Sequence, residues 1–157
     1  MKFVVDQMLG TLAKWLRVMG YDAVYDTRLD DPDLVRLARA ENRVLLTRDT
    51  GIARRKGVPV LLIASDYPEE QLAQVIHDCG LRPGSEPNPR CLRCNAALQS
   101  VSRESIYGQV PAYVWHTHQD FRRCPACGRL YWRGTHWQNM RARIARLIAQ
   151  AGGDLSP

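Results

Sequence analysis

Apolar and polar positions in the first eighty residues switch repeatedly between a strand period and a helix period. Lys2-Phe3-Val4-Val5 is a short, mostly apolar run that stops at Asp6. A helical spacing begins at once: Met8, Leu9, Leu12, Leu16 and Met19 recur, with Ala13 and Trp15 beside them. Gly20 is placed to end that helix. Asp22 to Tyr25 predicts a second strand. Asp31-Pro32-Asp33 reads as a helix start, with Asp31 as N-cap and Pro32 at the first helical position. Leu34, Val35, Leu37 and Ala38 carry this helix to Asn42. Arg43 to Leu46 predicts a buried strand, followed by a short helix through Ile52 and Ala53. A further apolar run spans Val58 to Ile63. Pro68, with Glu69 and Glu70 behind it, opens a helix through Leu72, Val75 and Ile76 that stops near Gly80.

Strand and helix alternating four times predict a small parallel sheet covered by helices. Right-handed crossovers put the carboxyl ends of all its strands on one edge. Asp6, Asp49 and Asp66 each follow a strand and emerge there, and Asp31 can join them. The first turn has no glycine-rich sequence, so it is not built to hold a nucleotide pyrophosphate. That edge is acidic.

Pro83 to Pro89 has the composition of a linker. It divides the chain into a domain over 1–81 and a module over 89–151, leaving a loose tail from Gly152. Beyond the linker, Ala97 to Ile106, Ala112 to Trp115 and Arg129 to Arg133 read as strands, and Thr135 to Ala149 as a final helix. The length of 157 residues suits one small domain plus a metal-stabilised module. No apolar run reaches bilayer length and no signal-peptide order opens the chain, which predicts a cytoplasmic protein away from membranes.

Charge sharpens the division. Residues 1–80 hold 11 Lys and Arg against 12 Asp and Glu, while residues 81–157 hold 11 Arg against 4 acids. A basic second half beside an acidic first half points to a polyanion partner such as RNA, or to charge serving solubility.

Cys91, Cys94, Cys124 and Cys127 form two C-x-x-C pairs separated by 29 residues. Paired knuckles offer four thiolates to one tetrahedral Zn²⁺ and leave no open position, so the zinc is expected to be structural. Cys79 reads as a buried helix residue. Asp6, Asp31 and Asp49 form the expected Mg²⁺ or Mn²⁺ site, with Asp66 as a further candidate carboxylate. Two such ions about 4 Å apart can drive phosphodiester cleavage. Aspartates at these positions are also ordinary caps, and Asp30 rivals Asp31. Thr47, two residues before Asp49, points to the same side of an extended chain and can bond a carboxylate. Lys14 and Arg17, on one side of the first helix, are candidate substrate contacts or simply a basic face. Arg48 and His136 complete the candidate substrate-binding set. Among Trp115, Tyr131, Trp132 and Trp137, one or two can stack on bases; the rest read as core.

With these residues in view, the chain resembles the Mut-seven C-terminal RNase family, which joins a PIN-like nuclease domain to a zinc ribbon. The resemblance rests on Asp6 to Gly10 with Lys14 to Arg17, on Arg43 to Asp49, on both cysteine knuckles and on Tyr131 to His136. It implies a metal-dependent ribonuclease with Asp6 and Asp49 as strand-end acids and Asp31 as the acid before the second helix. PIN domains often carry Glu in that middle position and a further Asp late; this chain offers Asp31 and Asp66. The alternative is an RNA- or ribosome-binding module that does not cleave. Either reading leaves room for an inhibitory protein partner, as in toxin–antitoxin pairs.

Overall fold

The computed structural model describes residues 1–82 and 88–153, so most of the expected linker and the last four residues lie outside it. The strands β1 (Lys2–Val5), β2 (Asp22–Val24), β3 (Val44–Thr47) and β4 (Val60–Leu62) form a parallel sheet in the order β2-β1-β3-β4. The helices α1 (Gly10–Val18), α2 (Asp31–Glu41), α3 (Thr50–Ala53) and α4 (Pro68–Cys79) accompany them, and a long helix, Thr135–Gly153, lies at the far end of the chain. From β1 the chain winds outward to β2, then crosses back to β3 on the other side. The order therefore reverses between β1 and β3, the place where open α/β sheets keep their ligand crevice.

Alternation along β1 sorts the two faces. Phe3 and Val5 join Leu12, Leu16, Leu72 and Ile76 in the larger core, beneath α1 and α4. Val4 and Leu45 face the other way, against Leu34, Val35 and Ala38 of α2 and Ile52 of α3. Fully burying one such Leu or Phe is worth about 1.5–3 kcal/mol, so both helical layers are firmly held.

The second sheet is antiparallel, in the order β5 (Gln99–Val101), β6 (Phe121–Arg123) and β7 (Leu130–Trp132). The long strand expected from Ala97 to Ile106 is cut to β5 and a 3-10 turn at Glu104–Ile106. Ala112 to Trp115, expected as a strand, is instead the helix α5 (Ala112–Thr117). Pro111 sits at its N-cap, and only Val114 is buried, against Ile106 and Phe121. A single inward residue suits one helical turn, not a two-faced strand. β6 was not anticipated: Phe121-Arg122-Arg123 is short and charged, and its pairing with two neighbours makes it a strand.

The long helix is α6 (Thr135–Gly153). Ile144 and Leu147 enter the larger core, with Trp137, Met140 and Ile148 packed against it. The helix that follows the ribbon in sequence thus lies on the α1 and α4 layer of the parallel-sheet unit. The ribbon is docked from the other end as well. Arg17 Nε donates to Ala23 O at 2.9 Å and Asn95 Oδ1 accepts from Ala23 N at 3.0 Å, so two side chains satisfy the edge strand β2. Asn95 Nδ2 also reaches Asp22 at 2.7 Å, and Arg90 N donates to Arg17 O at 2.9 Å.

Candidate functional site

Asp6 lies immediately after β1, only 7% exposed. Its Oδ1 accepts from the backbone N–H of Gln7 at 2.7 Å, capping a 3-10 turn that runs into α1. Its Oδ2 accepts from Thr47 Oγ1 at 2.8 Å. Thr47 ends the neighbouring strand β3, is fully buried, and accepts in turn from the backbone N–H of Asp49 at 3.0 Å. One hydroxyl therefore joins the two strand-end acids at the point where the sheet order reverses. Gly10 keeps the turn beside them tight. A Cβ there would come within 2.9 Å of Tyr25 Oη, which donates to Gln7 O at 2.7 Å.

Asp49 caps α3, with Oδ1 accepting from Gly51 N at 2.7 Å and Ile52 N at 3.3 Å. Asp31 does not cap α2. The N-cap is Asp30, which accepts from Asp33 N at 2.9 Å while Asp33 returns a contact to Asp30 N, a reciprocal capping box. The Asp31 carboxylate makes no hydrogen bond among the described residues. Its pKa is raised, first by desolvation and then by the charges of Asp49, Asp6 and Asp30, with Arg55 opposing. The structure thus brings Asp6, Asp31 and Asp49 into one electrostatic neighbourhood. Carboxylates gathered without a neutralising partner suit a hard divalent cation. Asp66 stands apart: it is exposed and paired with Arg48, whose Nη2 also reaches Ala64 O at 3.4 Å.

Arg17, expected beside Lys14 as a substrate contact, is buried at 4% exposure. Besides Ala23 O it donates through Nη1 to Leu92 O at 2.6 Å. Desolvation presses its pKa down, against the opposing charges of Cys91, Cys94 and Asp22. Three residues on a helix are 60° apart around the axis, enough to turn one side chain outward and the next inward. Lys14 is exposed, and so is His136 near the start of α6.

The four cysteines meet: their sulfurs all lie within 4.8 Å of one another. Among the described residues, no other group of three or more acids, cysteines or histidines is so tightly gathered. Both knuckles have the same form. The second cysteine of each pair donates its N–H to the first sulfur, Cys94 to Cys91 at 3.3 Å and Cys127 to Cys124 at 3.5 Å. The next residue is left-handed in each, Asn95 at φ 66° and Gly128 at φ 76°. Tyr131 Oη lies 3.0 Å from Cys91 Sγ. Burial raises the Cys91 thiol, but hydrogen bonds involving Tyr131 and nearby backbone N–H groups bring it down to about 7. Cys94 is pushed up to about 12, first by its hydrogen bond with Cys127, then by desolvation and the other cysteines' charges. Four close sulfurs, two from buried and two from exposed cysteines, could hold a metal ion such as Zn²⁺.

The Mut7-C RNAse domain model matches residues 1–144, from the first residue to Ile144 in α6. The chain belongs to the Mut7-C RNAse family. The match spans the parallel sheet, both knuckles and the first half of α6, so the two sheets form part of a single family unit. Neither a curated protein nor a solved structure matches the chain. Among the described residues, no helix is long and apolar enough to cross a membrane.

Among the described residues, hollows flank α6. One, of about 1070 Å³, lies between α1, the first knuckle and α6. Another, of about 340 Å³, is walled by Tyr131, Trp132 and Trp137 with Arg122, Arg133 and Arg141. Trp115 belongs to neither. Its ring lies under the Arg103 guanidinium at 3.6 Å, and its Nε1 donates to Arg103 O at 2.9 Å.

Proposed function

We propose that this Mut7-C protein is a metal-dependent ribonuclease that hydrolyses RNA phosphodiester bonds at Asp6, Asp31 and Asp49. The observation that carries this reading is the Asp6–Thr47–Asp49 linkage at the β1/β3 reversal, with Asp31 raised by both acids. A Mg²⁺ or Mn²⁺ ion at these carboxylates would activate an attacking water and neutralise charge on the scissile phosphate. The protein's part is positional. Gln7 N–H and Thr47 Oγ1 fix both oxygens of Asp6, and the α3 backbone fixes one oxygen of Asp49. Asp31 brings a third charge without spending it on a cap. Asp66, taken up by Arg48, is left outside the proposed set. Zn²⁺ at the tetrad is structural, and the arginines of the ribbon and α6 supply affinity for RNA.

Cleavage of labelled RNA with Mn²⁺, by wild type and by Asp49→Asn, tests the reading. Asn is as good an N-cap as Asp, so the variant keeps α3 while losing the charge. Activity should fall by at least about 10²-fold if charge stabilisation of this kind drives the reaction. Activity that survives, or that needs no divalent ion, would refute the mechanism. RNA binding without cleavage by the wild type would favour a binding module.

A further inference from the structure

Residues far apart in the chain place their basic side chains in one cleft. Lys14 of α1, Arg93 inside the first knuckle, Arg129 just past the second, and His136, Arg143 and Arg146 of α6 line the larger hollow. Among the described residues, no Asp or Glu lines it. Arg143 pairs with Glu69 at 3.2 Å, but Lys14, Arg93, Arg129 and Arg146 make no ion pair among the described residues. Trp15, Leu92 and Met140 give the cleft an apolar floor.

Its direction follows from the topology. α1 starts just past Asp6, at the carboxyl edge of the sheet, and runs back to Gly20 at the opposite edge. Arg17, near its far end, bonds Leu92 of the first knuckle, so the knuckles lie at that far edge. α6 returns from there, since its Arg143 meets Glu69 in the first turn of α4, which begins after β4. The cations therefore extend from the cysteine knuckles toward the carboxylates.

We propose that this cleft seats the phosphate backbone of single-stranded RNA and leads it from the knuckles to the acidic edge. The proposal rests on the ribonuclease reading and adds the substrate's path. Phosphates would lie along Lys14, Arg93, Arg129 and Arg146, with unpaired bases against the apolar floor. The apolar floor between the cations suits the exposed base faces of a single strand, which a duplex keeps stacked inside. The ribbon then acts at close range, because Arg93 adjoins Cys94, Arg129 lies two residues past Cys127, and the tetrad sets their backbone positions.

Fluorescence anisotropy of labelled oligouridylate, across a salt series without added divalent ions, tests this on the full chain. The variants are Lys14→Gln, Arg93→Gln and Arg129→Gln, with Arg39→Gln at an exposed position of α2 as control. Each cleft variant should weaken binding about five-fold and reduce the slope of log K against log salt by about 0.7. The control should match wild type. Lys14 lies away from the cysteines, so its variant reports on the cleft even if the ribbon variants lose their fold. Unchanged affinity and slope in Lys14→Gln, equal loss in Arg39→Gln, or equal binding of an RNA duplex would overturn the proposal. Loss of binding in the cleft variants, while wild type with Mn²⁺ leaves RNA intact, would support the track and refute the ribonuclease reading alone.

Discussion

Thr47 Oγ1 donates to Asp6 Oδ2 at 2.8 Å, linking the ends of the two strands between which the sheet order reverses. The same oxygen accepts from Asp49 N–H at 3.0 Å, so a single buried hydroxyl sets the spacing of both acids. Thr47→Val keeps the shape and removes both bonds. Leaving these groups without a partner should cost about 1–3 kcal/mol, read as a melting point lower by about 2–4 °C per kcal/mol. Activity toward RNA should fall with it. Thr47→Ser should recover most of both, and its failure to restore activity would argue against hydroxyl positioning.

Asp31 is held against desolvation and like charge, which gives its replacement a sign. A carboxyl whose folded pKa is raised contributes stability below its unfolded value, and loses it as pH rises through the folded value. Above the ordinary Asp value of 3.8, ionised Asp31 therefore weighs against the fold. Asp31→Asn should raise the melting temperature at neutral pH in metal-free buffer, with the gain closing as pH falls into the carboxylate range. Added Mn²⁺ should stabilise wild type more than the variant, and the variant should cleave RNA poorly. Thermal melts across pH, with and without Mn²⁺, check each part.

What sequence makes legible here is local, and what it hides is tertiary. The apolar runs at Val4 and Leu45 and the helical stripes of α1, α2 and α4 are complete within their own segments, so their periods show directly. The acids at Asp6 and Asp49 follow from strand ends. By contrast, whether Asp30 or Asp31 caps α2 turns on one backbone torsion, and the capping box with Asp33 settles it. Ala112 to Trp115 carries strand-favouring residue types, yet the packing of one Val decides for a helix. The stripe Trp137, Met140, Ile144, Leu147 is visible in α6, but its partners lie more than fifty residues away on α1 and α4. Arg17 looked like a neighbour of Lys14; the carbonyls it serves, Ala23 and Leu92, become neighbours only in the fold.

Arg17 separates structure from substrate contact. Its guanidinium holds two carbonyls from different parts of the chain, a fork that Lys cannot reproduce. Arg17→Gln should destabilise the protein by about 2–4 kcal/mol, since buried acceptors lose charge-assisted bonds. The salt dependence of RNA binding should stay that of wild type while the protein is folded. A reduced salt slope in folded Arg17→Gln would return this residue to the substrate contacts.

The cysteine tetrad predicts a fixed metal content and a fixed consequence of losing it. Purified protein should carry one Zn²⁺ per chain by atomic absorption, and Cys94→Ser should carry much less. Tyr131 Oη, held against Cys91 Sγ and accepting from Leu92 N–H at 3.1 Å, braces the first knuckle. Tyr131→Phe should therefore release zinc to a chelator faster, by about 10–100-fold in affinity terms. Stripping the metal leaves four close sulfurs that cannot all ionise, and the buried core of the ribbon is small: Cys91, Leu98 and Cys124 on one side, Ile106, Val114 and Phe121 on the other. The ribbon should then lose order, freeing its four thiols for alkylation. The parallel sheet has its own core and should keep most of its amide protection from hydrogen exchange. Equal loss of protection across both sheets would mean that the zinc sustains the entire fold.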